Sequence, residues 1–177
     1  MNTIDWNFII IQIIGAIGYT LLSISFYKKE KKQILYMQII ANIFFTIHYF
    51  LLDGITGAIS NIVGLISYTA IYIFDNLKWG KAKNILSLIM MCLLFTMTIF
   101  AYENIYSILP FVAFLFTMIS FLKGNEKIIR ICGIVAAVCW LVYAIVYVSY
   151  AAIVFEVITL IATVVSLIKN KESVKES

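Results

Sequence analysis

The sequence predicts an all-α polytopic membrane protein of seven transmembrane helices, and three observations carry that expectation. Apolar residues fill 63% of the 177 positions and charged residues 12%, with a mean hydropathy of +1.02, a balance that no water-soluble core can hide. The apolar residues come in runs of about 20, the length that crosses the roughly 30 Å hydrocarbon layer as a helix. Lipid excludes open sheet, because backbone groups there must pair within their own segment, and the runs lack the alternation of barrel strands. Finally, Lys and Arg cluster on every second connection between runs.

The first run, residues 6–27, opens at Asp5-Trp6 and ends at the basic block Lys28-Lys29-Glu30-Lys31-Lys32. Its positive charge follows the apolar stretch, the reverse of a cleavable signal. The second run covers 34–52, and Asp53-Gly54 turns the chain into the third, 55–74. A polar loop from Asp75 to Asn84 leads to the fourth run, 85–101, and Tyr102-Glu103-Asn104 separates it from the fifth, 106–122. The loop Lys123 to Lys127 precedes the sixth, 128–146, and the seventh runs from 151 to 168 before a charged tail. Nothing charged marks the boundary between the last two runs. One continuous helix of about 40 residues would be about 60 Å long, twice the hydrocarbon thickness, so a turn near Ser149, exposed at the outer surface, is the expectation. With an external N-terminus and a cytoplasmic C-terminus, seven spans place all thirteen Lys and Arg residues on the cytoplasmic side, and Asp5, Asp53 and Glu103 outside.

An internal repeat emerges at an offset of 95 positions. Ile24-Ser25-Phe26 matches Ile119-Ser120-Phe121, Lys28 matches Lys123, Lys32 matches Lys127, Ala41 matches Ala136, and Leu65-Ile66 matches Leu160-Ile161. Spans one to three lie over spans five to seven, and an odd number of intervening spans keeps both halves in one orientation, the parallel arrangement known among small transporters. The chain therefore divides into a first three-helix repeat (1–76), a cytoplasmic loop and linker helix (77–105), and a second three-helix repeat with a short tail (106–177). The linker helix is expected at the periphery.

His48-Tyr49-Phe50-Leu51-Leu52 with Gly57-Ala58 and Asn61, and Leu109-Pro110, Cys139-Trp140 and Phe155-Glu156, together resemble the YgjV-type family of bacterial inner-membrane proteins over nearly the whole chain. The three-plus-one-plus-three layout is similar to that of the SWEET and PQ-loop transporter superfamily, although the Pro-Gln signature is absent. The first resemblance implies a location in the inner membrane. The second implies a central solute route, with polar residues of the third and seventh spans face to face.

Glu156 is the leading candidate site residue. An acidic residue at mid-span costs about 2.5–3.5 kcal/mol on insertion scales and so faces a partner or a water-filled cavity. Glu156, Thr159, Thr163 and Ser166 form one helical stripe. No base lies within the spans, so a proton or a cationic part of a substrate is expected to compensate the carboxylate. Asn61 is its repeat partner, and interhelical packing is the plainer reading of Asn61 taken alone. Gln38 and Asn42 make a second polar stripe, which the repeat replaces with Gly133 and Ala137. Trp140, Tyr143 and His48 are candidates for the cavity wall, with aromatic core and interfacial hydrogen bonding as their plainer readings. Gly15 and its repeat partner Pro110 are candidate hinges, since each weakens helical hydrogen bonding.

Catalytic triads, HExxH and phosphate loops are lacking, so the chain is not expected to be an enzyme, and no cofactor, metal or nucleic acid is expected. Cys92, Cys132 and Cys139 lie in apolar runs and read as small buried residues. Two functions of different class fit: a small-solute transporter, proton- or cation-coupled, with a midplane site between the repeats, or a non-transporting scaffold or sensor whose polar residues only pack helices. The bilayer is the expected surrounding, and a homo-oligomer is left open.

Overall fold

The computed structural model describes residues 6–26, 31–123 and 126–173, and the regular structure among them is helical. The helices are α1 (Trp6–Phe26), α2 (Lys31–Leu51), α3 (Ile55–Leu77), α4 (Gly80–Phe100), α5 (Leu109–Lys123), α6 (Glu126–Val146) and α7 (Tyr150–Ser173), with a 3-10 turn at Ile105–Ile108. Asp5, Lys28, Lys29, Glu30 and Lys175, and the side chains of Lys31, Lys123, Lys127, Arg130, Ser166, Lys169 and Lys171, lie outside what is described.

Most boundaries follow hydropathy, with two informative exceptions. α4 begins at Gly80, more than a turn ahead of its apolar run. Lys81, Ala82 and Lys83 favour helix, and Lys83 Nζ lies 3.1 Å from Asp75 Oδ1 of α3, fastening the two helices. The fifth run opens as the 3-10 turn, capped by Asn104, whose side chain accepts from the Tyr106 N–H at 2.9 Å. Pro110 therefore stands in the first turn of α5, where a missing N–H interrupts no helical bond.

Six helices close into a ring. α1 packs on α2, α2 on α3, α3 on α5, α5 on α6, α6 on α7, and α7 returns to α1, while α4 lies against α3 and α5. The ring is apolar outside and polar inside. Ile85, Leu88, Ile89 and Phe100 of α4, and Ile158 and Ile161 of α7, are exposed, whereas Gln38, Asn42, His48, Asn61, Ser67 and Glu156 are buried. A protein stable in water has the opposite distribution. α1 to α4 are each long and apolar enough to cross a membrane, and α5 to α7 carry shorter apolar stretches among the described residues, 105–120, 131–146 and 150–165.

Most hydrogen bonds of the α2–α3 turn recur in the α6–α7 turn at the offset of 95. Gly54 N–H donates to Tyr49 O and Ser149 N–H to Ala144 O, both at 2.8 Å. Asp53 and Val148, again 95 apart, are both left-handed, with φ of 58° and 52°. The limits of α2 and α6, and the starts of α3 and α7, share that offset. These turns define one end of the ring, the turn end. The other, which bears Lys32, Lys78, Lys81 and Lys83, is the basic end. Ser149 corrects one expectation: it is fully buried, because its hydroxyl is needed inside the turn, and its neighbours Val148 and Tyr150 are exposed instead.

Candidate functional site

A cavity of about 360 Å³ occupies the centre of the ring. All six ring helices line it and α4 does not. Along α2 the lining runs from Tyr49 to Ile34, about 22 Å at 1.5 Å per residue. At the end near Ile34 it reaches Gly133, a lining residue that is itself exposed. The cavity thus extends toward the basic end.

Four of the candidate residues meet here: Asn42, Asn61, Trp140 and Glu156. Glu156 is 7% exposed, and among the described residues its carboxylate has no hydrogen bond or ion pair. Asn42 Nδ2 donates to Gln38 O at 2.7 Å, and Asn61 Nδ2 to Gly57 O at 2.8 Å. A carbonyl oxygen can only accept, so each amide must turn its nitrogen toward its own helix and its oxygen away from it. Asn42 Oδ1 rests where a Cβ on Gly64 would come within 2.8 Å, so glycine there lets α3 approach α2. Of the stripe on α7, Glu156 and Thr159 line the cavity and Thr163 donates to Thr159 O.

Much of the lining falls into pairs 95 apart in sequence. Tyr19 pairs with Phe114, Leu22 with Thr117, Phe45 with Trp140, Asn61 with Glu156 and Gly64 with Thr159. Where Gln38 and Asn42 come from the first half, the second contributes Gly133 and Ala137, and the smaller side chains leave open space. Several lining residues escaped sequence reasoning, notably Tyr19, Tyr49, Tyr68 and Phe155. In so aromatic a chain nothing local distinguishes them.

His48 and Tyr143 do not line the cavity; they close the layer behind it at the turn end. Tyr49 stacks on Trp140 with ring centroids 5.5 Å apart, and Tyr143 lies behind both, 5.4 Å from Tyr49. The Tyr143 hydroxyl accepts from the Gly57 N–H at 2.8 Å and bonds Thr56 Oγ1 at 3.1 Å. Gly57 is the third residue of α3, so a tyrosine of α6 caps a helix of the other half. At the equivalent place in the second half, Ser149 Oγ accepts from the Ala152 N–H at 3.4 Å and bonds His48 Nε2 at 2.6 Å. His48 Nδ1 lies 2.8 Å from Ile11 O. Because that carbonyl only accepts, Nδ1 carries the proton and, in the neutral ring, Nε2 accepts from Ser149. His48 and Tyr143 are 95 apart. The long tyrosine reaches α3 directly because Gly54 offers no side-chain cap, whereas the shorter histidine meets a serine at that position.

Both clasps depend on glycine. A Cβ at Gly15 would lie 2.7 Å from His48 Cε1, and one at Gly57 would lie 2.5 Å from Tyr143 Cε1. Gly15 thus gives the His48 ring room against α1. Gln12 of α1 adds a further tie, its Nε2 donating to Val148 O at 2.9 Å.

Comparison with curated proteins gives no match, and neither does comparison with solved structures. The apolar exterior, the helices of membrane-crossing length and a family match over residues 9–173 agree on one assignment. The chain belongs to the Imp-YgjV family of bacterial inner membrane proteins.

Proposed function

We propose that this protein is a small-solute transporter of SWEET-like architecture, in which α1–α3 and α5–α7 form two parallel three-helix repeats that move against each other about the central cavity, linked by α4. The observation that carries this reading is Glu156, a buried carboxylate with no partner among the described residues, open to a cavity that all six helices of the ring line. A carboxylate serving only to pack helices would be hydrogen-bonded, since an unpaired one at membrane depth is costly. The matched turns, the cavity pairs at the offset of 95 and the reciprocal clasps support a two-fold relation between the halves. The Lys and Arg distribution supports seven spans with the N-terminus outside, which puts the basic end in the cytoplasm. In this arrangement the clasped turn end is the closed outer gate, and the cavity opens inward.

Alternating access can be measured without knowing the solute. In a protein lacking Cys92, Cys132 and Cys139, Asn61→Cys is treated with a membrane-impermeant maleimide from either side of the membrane. A transporter exposes position 61 to both sides in turn, so labelling is expected from each. Labelling from one side alone, under every condition of pH and solute, would leave the scaffold reading in its place.

A further inference from the structure

We propose that the cavity recognises a small organic cation, an amine or ammonium with an apolar body, holding its charge at Glu156 and its body against the rings of Tyr19, Tyr49, Trp140 and Phe155. The direction of movement rests on the transport reading; the binding does not.

Three observations lead to a cation. Among the described lining residues Glu156 is the one that carries a charge, and none is Lys, Arg or His. An anion would be repelled, and a neutral polyol would leave the buried carboxylate uncompensated. Second, the polar groups around it present oxygen. Besides the two asparagines, Ser60 donates its hydroxyl to Pro110 O at 3.2 Å, Thr117 to Ala113 O at 2.9 Å and Ser120 to Thr117 O at 2.7 Å. Each hydroxyl, its proton spent, keeps only accepting capacity, and Gln38 Oε1 is buried without a partner among the described residues. Such a set complements N–H donors or a diffuse positive charge. Third, the walls are aromatic: Tyr19 lies 4.5 Å from Phe45 and 4.6 Å from Phe155 between ring centroids, and Tyr49 stacks on Trp140. Ring faces attract cations and also bury apolar groups. The cavity volume of about 360 Å³ is at the small end for ligand sites.

The carboxylate can hold a proton or the organic cation but not both, so the two compete. The other titratable groups among the described lining residues are phenols: Tyr19 from α1, Tyr49 from α2 and Tyr68 from α3. Phenols do not ionise between about pH 5 and 9. His48 stands behind the Tyr49 ring, 5.2 Å away, with both nitrogens hydrogen-bonded. Binding should therefore follow the protonation of Glu156 alone.

Calorimetry on the full chain in detergent tests this with benzyltrimethylammonium as probe, benzyl alcohol as its neutral counterpart and glucose as a polyol. The cation is expected to bind at least about tenfold tighter than the alcohol at pH 8. Its Kd should weaken on acidification, with a limiting slope of about tenfold per pH unit for one competing proton. Glu156→Gln should abolish both the affinity and the pH dependence, while Trp140→Leu should weaken binding several-fold and keep the slope. If Glu156→Gln does not fold, the slope in the native protein and its survival in Trp140→Leu decide. Equal affinity for cation and alcohol, a pH-independent Kd, or binding of glucose in place of the cation would overturn the proposal. Two-sided labelling at position 61 with no cation binding would refute the ligand class and keep the transport reading. One-sided labelling with pH-dependent cation binding would do the reverse.

Discussion

Replacing Gly57 by alanine should break the clasp that α6 makes on α3. The new methyl would stand 2.5 Å from Tyr143 Cε1 and 2.9 Å from its hydroxyl oxygen, too close on both counts. The ring cannot swing away, because Tyr49 and Tyr147 pack against it at 5.4 and 4.5 Å. Overpacking of this kind costs about 1–3 kcal/mol. Shifting the ring also strands the buried Gly57 N–H, which costs about 1–3 kcal/mol more. A destabilisation of about 2–6 kcal/mol follows. Tyr143→Leu by itself removes the hydroxyl and strands the same N–H. Once the ring is gone, however, the three atoms nearest the methyl at 57 are gone with it, so the double variant should be more stable than the sum of the singles by about 1–3 kcal/mol. Reversible unfolding in mixed SDS micelles, followed by tryptophan fluorescence, reads all four corners of the cycle. Additivity within about 0.5 kcal/mol would show that the two residues do not touch, and the clasp would fall with them.

Two further outcomes are expected. Val148 is a β-branched residue held at φ 52°, a conformation that costs about 1–2 kcal/mol outside glycine and asparagine; Val148→Asn should raise stability by about 1 kcal/mol in the same unfolding assay, since the Gln12 bond goes to the backbone carbonyl and survives. On the topology, a cysteine at 148 should react with an impermeant reagent from outside while one at 149, buried beneath it, stays silent; reaction of 148 from the cytoplasmic side alone would invert the orientation.

Helix number and order, and most boundaries to within three residues, could be read from hydropathy, because lipid imposes one length and one composition on each span. Glu156 and Asn61 could be found because polar groups are conspicuous in an apolar chain. Tyr19, Tyr49 and Phe155 could not, since an aromatic facing a cavity and one facing lipid look alike in sequence. His48 and Tyr143, candidates for the cavity wall, lie one layer behind it. Their roles depend on Ser149 and Gly57, 101 and 86 residues away, and on two glycines whose missing side chains make the approach possible. Contacts of that range follow from the closed ring rather than from any local pattern. Pro110 reads as a candidate hinge because the 3-10 turn before it reads as apolar span, whereas it stands in the first turn of α5.

Distance measurement between spin labels at positions 53 and 148 tests the central claim most directly. Both residues are at the turn end, one on each half, beside the two clasps. If the halves rock about the cavity, the distribution should contain a short component for the clasped state and a longer one for the opened state, with populations that shift with pH and lose that shift in Glu156→Gln. A single short distance, unchanged by pH and by Glu156→Gln, would mean that the turn end never opens, and that the cavity belongs to a rigid membrane scaffold.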